Sequence, residues 1–172
     1  LDGNLATGTL GFALDLAAAA RTRVVLEPVS VPKAAALKSL FDPERPVYAV
    51  TPNRDELAAL TDLPTRTDRQ VERAVGFLHD RGVDLVWVRL GSGGSLLSGP
   101  DGVTALDAVP TEVVDVTGAG DAMLAAFCHA LLDGAEPARA AAYGHAAAAL
   151  TIASPHTVRP DLTDRLVRSA TA

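Results

Sequence analysis

A run of small residues stands directly before an apolar helix and carries an acidic residue into the first turn of that helix. The run is Asp115-Val116-Thr117-Gly118-Ala119-Gly120-Asp121, and the apolar positions start at Ala122. Small residues at a helix start leave backbone N–H groups uncovered, and those groups together with the helix dipole form a site suited to a phosphate. Because a carboxylate beside a bound phosphate can accept the proton of an attacking hydroxyl, the run indicates phosphoryl transfer with Asp121 as the base.

Three other interpretations of this run differ in how well they fit the residues. A Walker A loop and a dinucleotide-binding loop do not fit, since no Gly-Lys-Ser/Thr follows and the glycine spacing is different. An ordinary glycine-rich helix start, in which Asp121 only favours the helix dipole, stays open as the structural alternative.

Two further segments that could take part in ligand binding or catalysis follow predicted strands. Asn53-Arg54-Asp55-Glu56 is either a carboxylate site for a hydrated cation or a helix capping box. Gly91-Ser92-Gly93-Gly94 could let the backbone approach a phosphate closely, although any hairpin turn has this composition. Neither segment is specific by itself.

Helical and strand patterns alternate along the chain, which predicts βαβ units and a mostly parallel sheet. In such sheets ligands bind outside the carboxyl ends of the strands, where the segments above are expected to lie. The predicted helices cover residues 9–20, 33–40, 54–60, 68–80, 119–132, 137–152 and 162–170, and the predicted strands cover residues 24–28, 47–50, 85–90, 95–97 and 103–106.

Composition narrows the class of protein. The 172 residues, 48% of them hydrophobic, suit one compact domain, and the net charge of −6 argues against a nucleic-acid partner. No apolar run reaches the roughly 18 residues of a membrane span. A single cysteine, Cys128, cannot form an internal disulfide and lies in an apolar helical run, so we expect a core role for it and a cytoplasmic location for the protein.

The run 115–121 resembles the C-terminal signature of the PfkB carbohydrate kinase family, usually written D-T-x-G-A-G-D. The resemblance implies an α/β, ribokinase-like three-layer fold. It also implies that the amides of Gly118, Ala119 and Gly120 form an anion hole for the transferred phosphate and that Asp121 is the catalytic base. Val116 departs from the commonest threonine at a position whose role is packing.

Other segments match family features in the expected order. The segment 53–56 matches the N-x-x-E motif, which implies that Asn53 and Glu56 support Mg²⁺ and phosphate, Glu56 partly through water. The turn 91–94 matches the Gly-x-x-Gly turn against the ATP phosphates and ribose, which implies nucleotide contacts from Gly91, Ser92 and Gly94.

The resemblance also implies roles for three residues of the C-terminal half. Thr117 lies in the nucleotide-binding signature. Asp115 matches a side-chain ligand of a monovalent cation such as K⁺, although the departure from the family pattern at Ser154-Pro155 puts that cation in doubt. His145 stands where the adenine-pocket helix of the family often has asparagine, and the alternative for it is a satisfied histidine in the core.

Within the family, several stretches are similar to pseudouridine kinases. The clearest is Glu27-Pro28-Val29-Ser30-Val31-Pro32-Lys33, which resembles their D-P-V-S-x-x-K segment, and residues 51–54, 116–123 and 151–155 agree with it. This implies transfer of the ATP γ-phosphoryl group to the 5′-hydroxyl of pseudouridine, with Ser30 and Lys33 on the acceptor side. The alternative for Lys33 is a solvated side chain at a strand-to-helix turn.

The resemblance covers nearly the whole chain but only the C-terminal part of the family. Since the chain opens at Leu1, we expect residues 1–172 to be the nucleotide-binding part of a kinase domain whose N-terminal part, with its lid, is missing. The implied partners are a small nucleoside or sugar, with a homodimer through the lid of the full-length protein as an option and neither nucleic acid nor membrane. The rival functions are a kinase for ribose, another nucleoside or a hexose, and a non-catalytic fragment that binds nucleotide.

Overall fold

The computed structural model describes residues 1–171, with helices and strands alternating over most of the chain. The helices are α1 (Thr7–Ala20), α2 (Val31–Leu37), α3 (Arg54–Thr61), α4 (Asp68–His79), α5 (Ala119–Leu132), α6 (Pro137–Ile152) and α7 (Asp164–Ala170). The strands are β1 (Val25–Leu26), β2 (Val47–Val50), β3 (Val83–Arg89), β4 (Ser95–Gly99) and β5 (Gly102–Leu106), and short 3-10 turns cover Lys38–Leu40 and Gly91–Gly93.

The strands form one sheet in the order β1-β2-β3-β4-β5. The first three are parallel, with Ala49 paired to Val25 on one side and to Leu85 on the other, and β4 runs antiparallel to β3. The predicted α/β class with a ribokinase-like, largely parallel sheet is therefore confirmed. Because β1, β2 and β3 run in the same direction, their carboxyl ends lie side by side at one edge of the sheet.

Residue contacts divide the chain into two compact units, a division that no low-complexity linker marks in the sequence. The first unit comprises Leu1–Gly91 and Ser95–Ala105. Its central strand β3 is buried at all five of its apolar positions, as expected for a strand covered on both faces. Trp87 is fully buried there, and its indole N–H donates to the Ser95 hydroxyl at 2.8 Å.

The second unit comprises Ser92–Gly94 and Leu106–Ala172. Helices α5 and α6 pack against each other, with Phe127 fully buried. Helix α6 is buried along most of its length because its residues are mainly alanine and glycine. Cys128 is half-buried in α5, and burial raises the pKa of its thiol, which agrees with a packing role.

The boundaries that the sequence predicted differ from the structure mainly at proline and capping residues. Strand β1 ends at Leu26 instead of reaching Pro28, which has no N–H to donate to a neighbouring strand. Helix α2 begins at Val31, before Pro32, because proline is tolerated in the first turn. Helix α7 begins at Asp164 because the Thr163 hydroxyl caps it, accepting from the Leu166 N–H at 3.3 Å. Among residues 1–171, no helix combines the length and apolar character needed to cross a bilayer.

Candidate active site

The turn that opens α5 has a backbone geometry that requires glycine. Gly118 stands at the N-cap of the helix with φ of 81°, in the left-handed region that L side chains rarely adopt. A Cβ atom at this position would lie 2.1 Å from the carbonyl oxygen of Thr157. The chain therefore passes Thr157 more closely than any side chain on residue 118 allows.

This turn leaves amide groups uncommitted at the start of the helix. Among residues 1–171, the N–H groups of Gly118, Gly120 and Asp121 have no hydrogen-bond acceptor, whereas Ala119 donates to the Val116 carbonyl at 3.3 Å. The side chain of Asp121 is exposed in the first turn of the same helix. The unit thus presents free N–H donors, the positive end of a helix dipole and one carboxylate together.

Asp115 and Thr117 fix the approach to that turn. One carboxylate oxygen of Asp115, Oδ1, accepts from the N–H of Thr117 at 2.8 Å and from its hydroxyl at 2.7 Å. These two donors hold the pKa of Asp115 below its usual value. Oδ1 is therefore committed to the turn, whereas among the described residues Oδ2 accepts no hydrogen bond.

In the first unit, the ends of β1, β2 and β3 bring polar residues together. Leu26 pairs with Val50, so Glu27 and Thr51 follow side by side, and the Thr51 hydroxyl donates to Oε2 of Glu27. Arg89 ends β3 and lies beside the residues after β2, because its N–H donates to the Pro52 carbonyl at 2.8 Å. The carboxyl edge of the sheet is therefore occupied by a carboxylate, a hydroxyl and a guanidinium.

The Arg89 guanidinium contacts two carboxylates through one nitrogen. Its Nη2 lies 2.7 Å from Oε1 of Glu27 and 3.2 Å from Oε2 of Glu56. Both glutamates are buried, with 9% and 3% of their surfaces exposed respectively. The sequence interpretation did not identify Arg89; the signal for it is a charged residue that closes the otherwise apolar run of β3.

Glu56 is held by a complete capping box at the start of α3. The side-chain oxygen of Asn53 accepts from the N–H of Asp55 at 3.0 Å and of Glu56 at 2.9 Å, and Oε2 of Glu56 accepts from the Asn53 N–H at 2.8 Å. The helix capping box, which the sequence offered as the alternative to a cation site, is therefore present. It does not exclude a functional role, since among the described residues Oε1 of Glu56 takes no hydrogen bond.

The segment proposed for the acceptor side contains a strained turn. Val29 has φ of 72°, and the Ser30 N–H donates to the Pro28 carbonyl at 2.9 Å, which defines a γ-turn around a β-branched residue. The Val29 N–H also donates to Oε1 of Glu27 at 3.3 Å. Lys33 is half-buried on α2 and donates to the side-chain oxygen of Asn4, so it is not a freely solvated side chain.

Of the remaining predicted nucleotide contacts, Gly91 belongs to the first unit, and Ser92, Gly94 and His145 belong to the second. Gly91 and Ser92 are exposed at the end of the β3 region. Gly94 has φ of 78°, and a Cβ there would lie 2.0 Å from the Leu106 carbonyl oxygen, so this turn also requires glycine. His145 is buried on α6 with 8% of its surface exposed, and burial lowers the pKa of its imidazole.

The described residues offer limited ligands for a metal ion. Within residues 1–171 no group of three or more His, Cys, Asp or Glu side chains is placed to hold one. Magnesium usually keeps several waters and binds one or two carboxylates together with substrate phosphates. The free Oε1 of Glu56 fits that mode, in which the protein supplies a single carboxylate.

Comparison with known proteins gives a consistent family match. The family model described as pfkB family carbohydrate kinase matches residues 2–164. The chain is 39% identical over 119 residues to a 1-phosphofructokinase of Haloferax volcanii, covering 69% of this chain and 39% of that protein. It is 37% identical over 118 residues to a ribokinase of Arabidopsis thaliana, covering 67% and 31%. It is 27% identical over 162 residues to the pseudouridine kinase of Escherichia coli, covering 94% and 50%.

Solved structures share the fold. The ribokinase of Arabidopsis thaliana complexed with ribose and ATP superposes with a TM-score of 0.82 at 27% identity, covering 99% of this chain and 54% of that one. Phosphofructokinase-2 from Escherichia coli, in complex with substrates and products, superposes with a TM-score of 0.77 at 20% identity, covering 97% and 52%. The chain thus spans about half the length, or less, of the relatives that it matches.

Proposed function

Because the chain belongs to the pfkB family of carbohydrate kinases, we propose that it is the nucleotide-binding part of an ATP-dependent kinase that phosphorylates the 5′-hydroxyl of pseudouridine. The observation that carries the proposal is the start of α5, where uncommitted N–H groups and the exposed Asp121 carboxylate occur within one helical turn. Such a turn can bind a phosphoryl group and remove a proton beside it.

In this mechanism Asp121 accepts the proton of the acceptor hydroxyl as its oxygen forms a bond to the γ-phosphorus. The bond from that phosphorus to the β,γ-bridging oxygen breaks, and ADP leaves with the bonding electrons. The amides of Gly118, Ala119 and Gly120 stabilise negative charge on the transferred group, and the 3.3 Å bond from Ala119 to Val116 is weak enough to give way. Bound Mg²⁺ would neutralise charge on the nucleotide phosphates, and Glu56 would hold its water shell.

Pseudouridine is the proposed acceptor because the similarity to the Escherichia coli pseudouridine kinase extends over 94% of the chain, through the segment from Glu27 to Lys33. Ribose and hexose phosphates are the competing acceptors, since the shorter matches to a ribokinase and a 1-phosphofructokinase have higher identity. The test is an ADP-release assay on the chain, joined to any upstream segment in its reading frame. Pseudouridine, uridine, ribose and fructose 1-phosphate would be compared by kcat/KM, and a preference for any of the other three contradicts the proposed substrate.

The second candidate is a non-catalytic unit that binds nucleotide, because the N–H groups at the start of α5 can hold a phosphate whether or not a proton is removed beside it. The two candidates differ in turnover and agree in binding. Isothermal titration with ATP and Mg²⁺ tests what they share, and no heat at millimolar nucleotide with folded protein would contradict both. A cytoplasmic location is part of the proposal, since ATP and reduced thiols are both found there.

A further inference from the structure

The pair of glutamates beside Arg89 leaves a negative charge uncompensated at the carboxyl edge of the sheet. Glu27 and Glu56 are both buried, and a single guanidinium lies between them. A buried ion pair built only for stability gains little over apolar packing, and a second carboxylate adds a desolvation cost that no second cation among residues 1–171 offsets. Stability alone therefore does not explain why Glu27, Glu56 and Arg89 lie together at the carboxyl edge of the sheet.

The two glutamates use their oxygens differently. Glu27 is committed on both sides, because Oε1 accepts from Arg89 and from the Val29 N–H, and Oε2 accepts from Thr51. Within the described part of the chain, Glu56 accepts hydrogen bonds only through Oε2, from Arg89 and from the Asn53 N–H. Glu27 is therefore fixed through both of its carboxylate oxygens. Glu56 is fixed through Oε2, and its Oε1 remains available to a ligand.

Glu27 also stabilises the strained turn of the acceptor-side segment. Val29 has a positive φ, a conformation that a β-branched residue adopts only when its surroundings enforce it. The hydrogen bond from its N–H to Oε1 of Glu27 is such a constraint, and the same oxygen is held at 2.7 Å by Arg89. The orientation of Arg89 therefore acts on both the turn and Glu56.

We infer that Arg89 is a positioning residue that links the acceptor-side segment, residues 27–33, to the carboxylate of Glu56 that serves the metal. The inference rests on the proposed function. Arg89 contacts neither nucleotide nor acceptor in this role; it fixes Glu27, and with it the turn at Val29, and it fixes Glu56 through Oε2. Loss of Arg89 consequently weakens acceptor binding and metal use together, whereas loss of either glutamate weakens one of them.

The test compares four variants in the same assay, joined to any upstream segment as above. We expect Glu27→Gln to raise the KM of the acceptor, Glu56→Gln to raise the Mg²⁺ concentration for half-maximal rate, and Arg89→Gln to raise both by about tenfold, the usual loss when a supporting partner of a metal ligand is removed. Saturating acceptor and Mg²⁺ should restore most of kcat. Arg45→Gln is the control, because Arg45 is also partly buried in the first unit but, among the residues described, forms its one ion pair with Asp15.

Three results would overturn the inference: Arg89→Gln lowering kcat with unchanged KM and Mg²⁺ requirement, Arg89→Gln shifting only one of them, or Arg45→Gln producing the same double shift. Arg89→Lys, which keeps the charge but not the planar fork, replaces Arg89→Gln if the latter does not fold and should show the same paired shift to a smaller extent. If the wild type phosphorylates no acceptor, the proposed function fails. The inference is then decided by calorimetric ATP titrations at several Mg²⁺ concentrations, where an unshifted Mg²⁺ requirement in the Arg89 variant, or no ATP binding by the wild type, refutes it.

Discussion

The carbonyl oxygen of Thr157 lies 2.1 Å from the point where a Cβ atom on Gly118 would stand. The segment after α6 therefore packs directly on the turn that opens α5, within the second unit. A substitution at residue 118 must move one of these two backbone segments, and both carry residues of the proposed phosphate site or its support.

Gly118→Ala should lower the free energy of unfolding by about 3 kcal/mol or more, because it adds overlap with backbone to the strain of a positive φ. Gly134→Ala is a matched control: residue 134 has φ of 85° but nothing within 4 Å of its Cβ position. That control should lose only the strain, about 1 kcal/mol. Urea unfolding of both variants measures the difference, and equal losses would show that the contact with Thr157 does not constrain the turn.

Asp121→Asn should reduce kcat by about 10²–10⁴-fold while ATP affinity, measured by calorimetry, changes little. Asparagine keeps the size of the side chain but cannot take the proton. Asp101→Asn, at an exposed turn far along the sequence from the helix start, serves as the control and should leave kcat unchanged. A variant that retains more than about a tenth of wild-type kcat would exclude Asp121 as the base.

The buried His145 should make stability depend on pH near neutrality. Its pKa is lowered from 6.5 by burial, so below that pH the unfolded chain binds a proton that the folded protein does not. Stability is therefore full above the unfolded pKa and falls as pH decreases, with a limiting slope of about 1.4 kcal/mol per pH unit. His145→Asn should flatten this slope at pH values below the usual histidine pKa of 6.5 in urea unfolding experiments.

His156, which is exposed, provides the control for that measurement. His156→Asn should leave the slope as in the wild type. If both variants reduce it equally, the pH dependence does not arise from the buried imidazole.

Val29→Gly should keep the free energy of unfolding close to the wild-type value, since relief of about 1–2 kcal/mol of backbone strain offsets the flexibility that glycine adds to the unfolded chain. The looser turn should still raise the KM of the acceptor. Val103→Gly, in the exposed strand β5, involves no such relief and should cost about 1 kcal/mol. A loss at Val29 as large as that at Val103 would mean that the turn stores no strain.

Local sequence patterns were sufficient to predict the helices and strands whose ends are determined by neighbouring residues. The predicted bounds of α5, α6 and β2 agree with the structure, because Gly118 and Pro137 mark helix starts and the apolar run of β2 is followed at once by Thr51 and Pro52. The capping box at Asn53 was likewise visible in four consecutive residues. In each case the determining interactions lie within a few residues of one another.

The sequence could not reveal contacts that depend on the order of strands. Arg89 and Glu27 are 62 positions apart in the sequence. They meet because β1 and β3 flank β2 in the same direction, which places the ends of both strands at one edge of the sheet. The positive φ of Val29 was hidden for a different reason, since valine is among the residues least suited to that conformation. Local preference and tertiary structure disagree at this position, which is common where a segment serves a ligand.

The close packing of α5 on α6 restricts how the two helices can change in evolution. Most buried positions of α6 carry alanine or glycine, so their side chains have already reached nearly the smallest volume available. Enlargement of an alanine on α6 must be matched by a reduction on α5 or at Tyr143, the large α6 residue whose ring lies 6.0 Å from that of His129 on α5. We therefore expect substitutions on α5 and α6 to occur together. The residues that α5 tolerates, in the helix that begins at the proposed phosphate turn, are thus limited by the residues on α6.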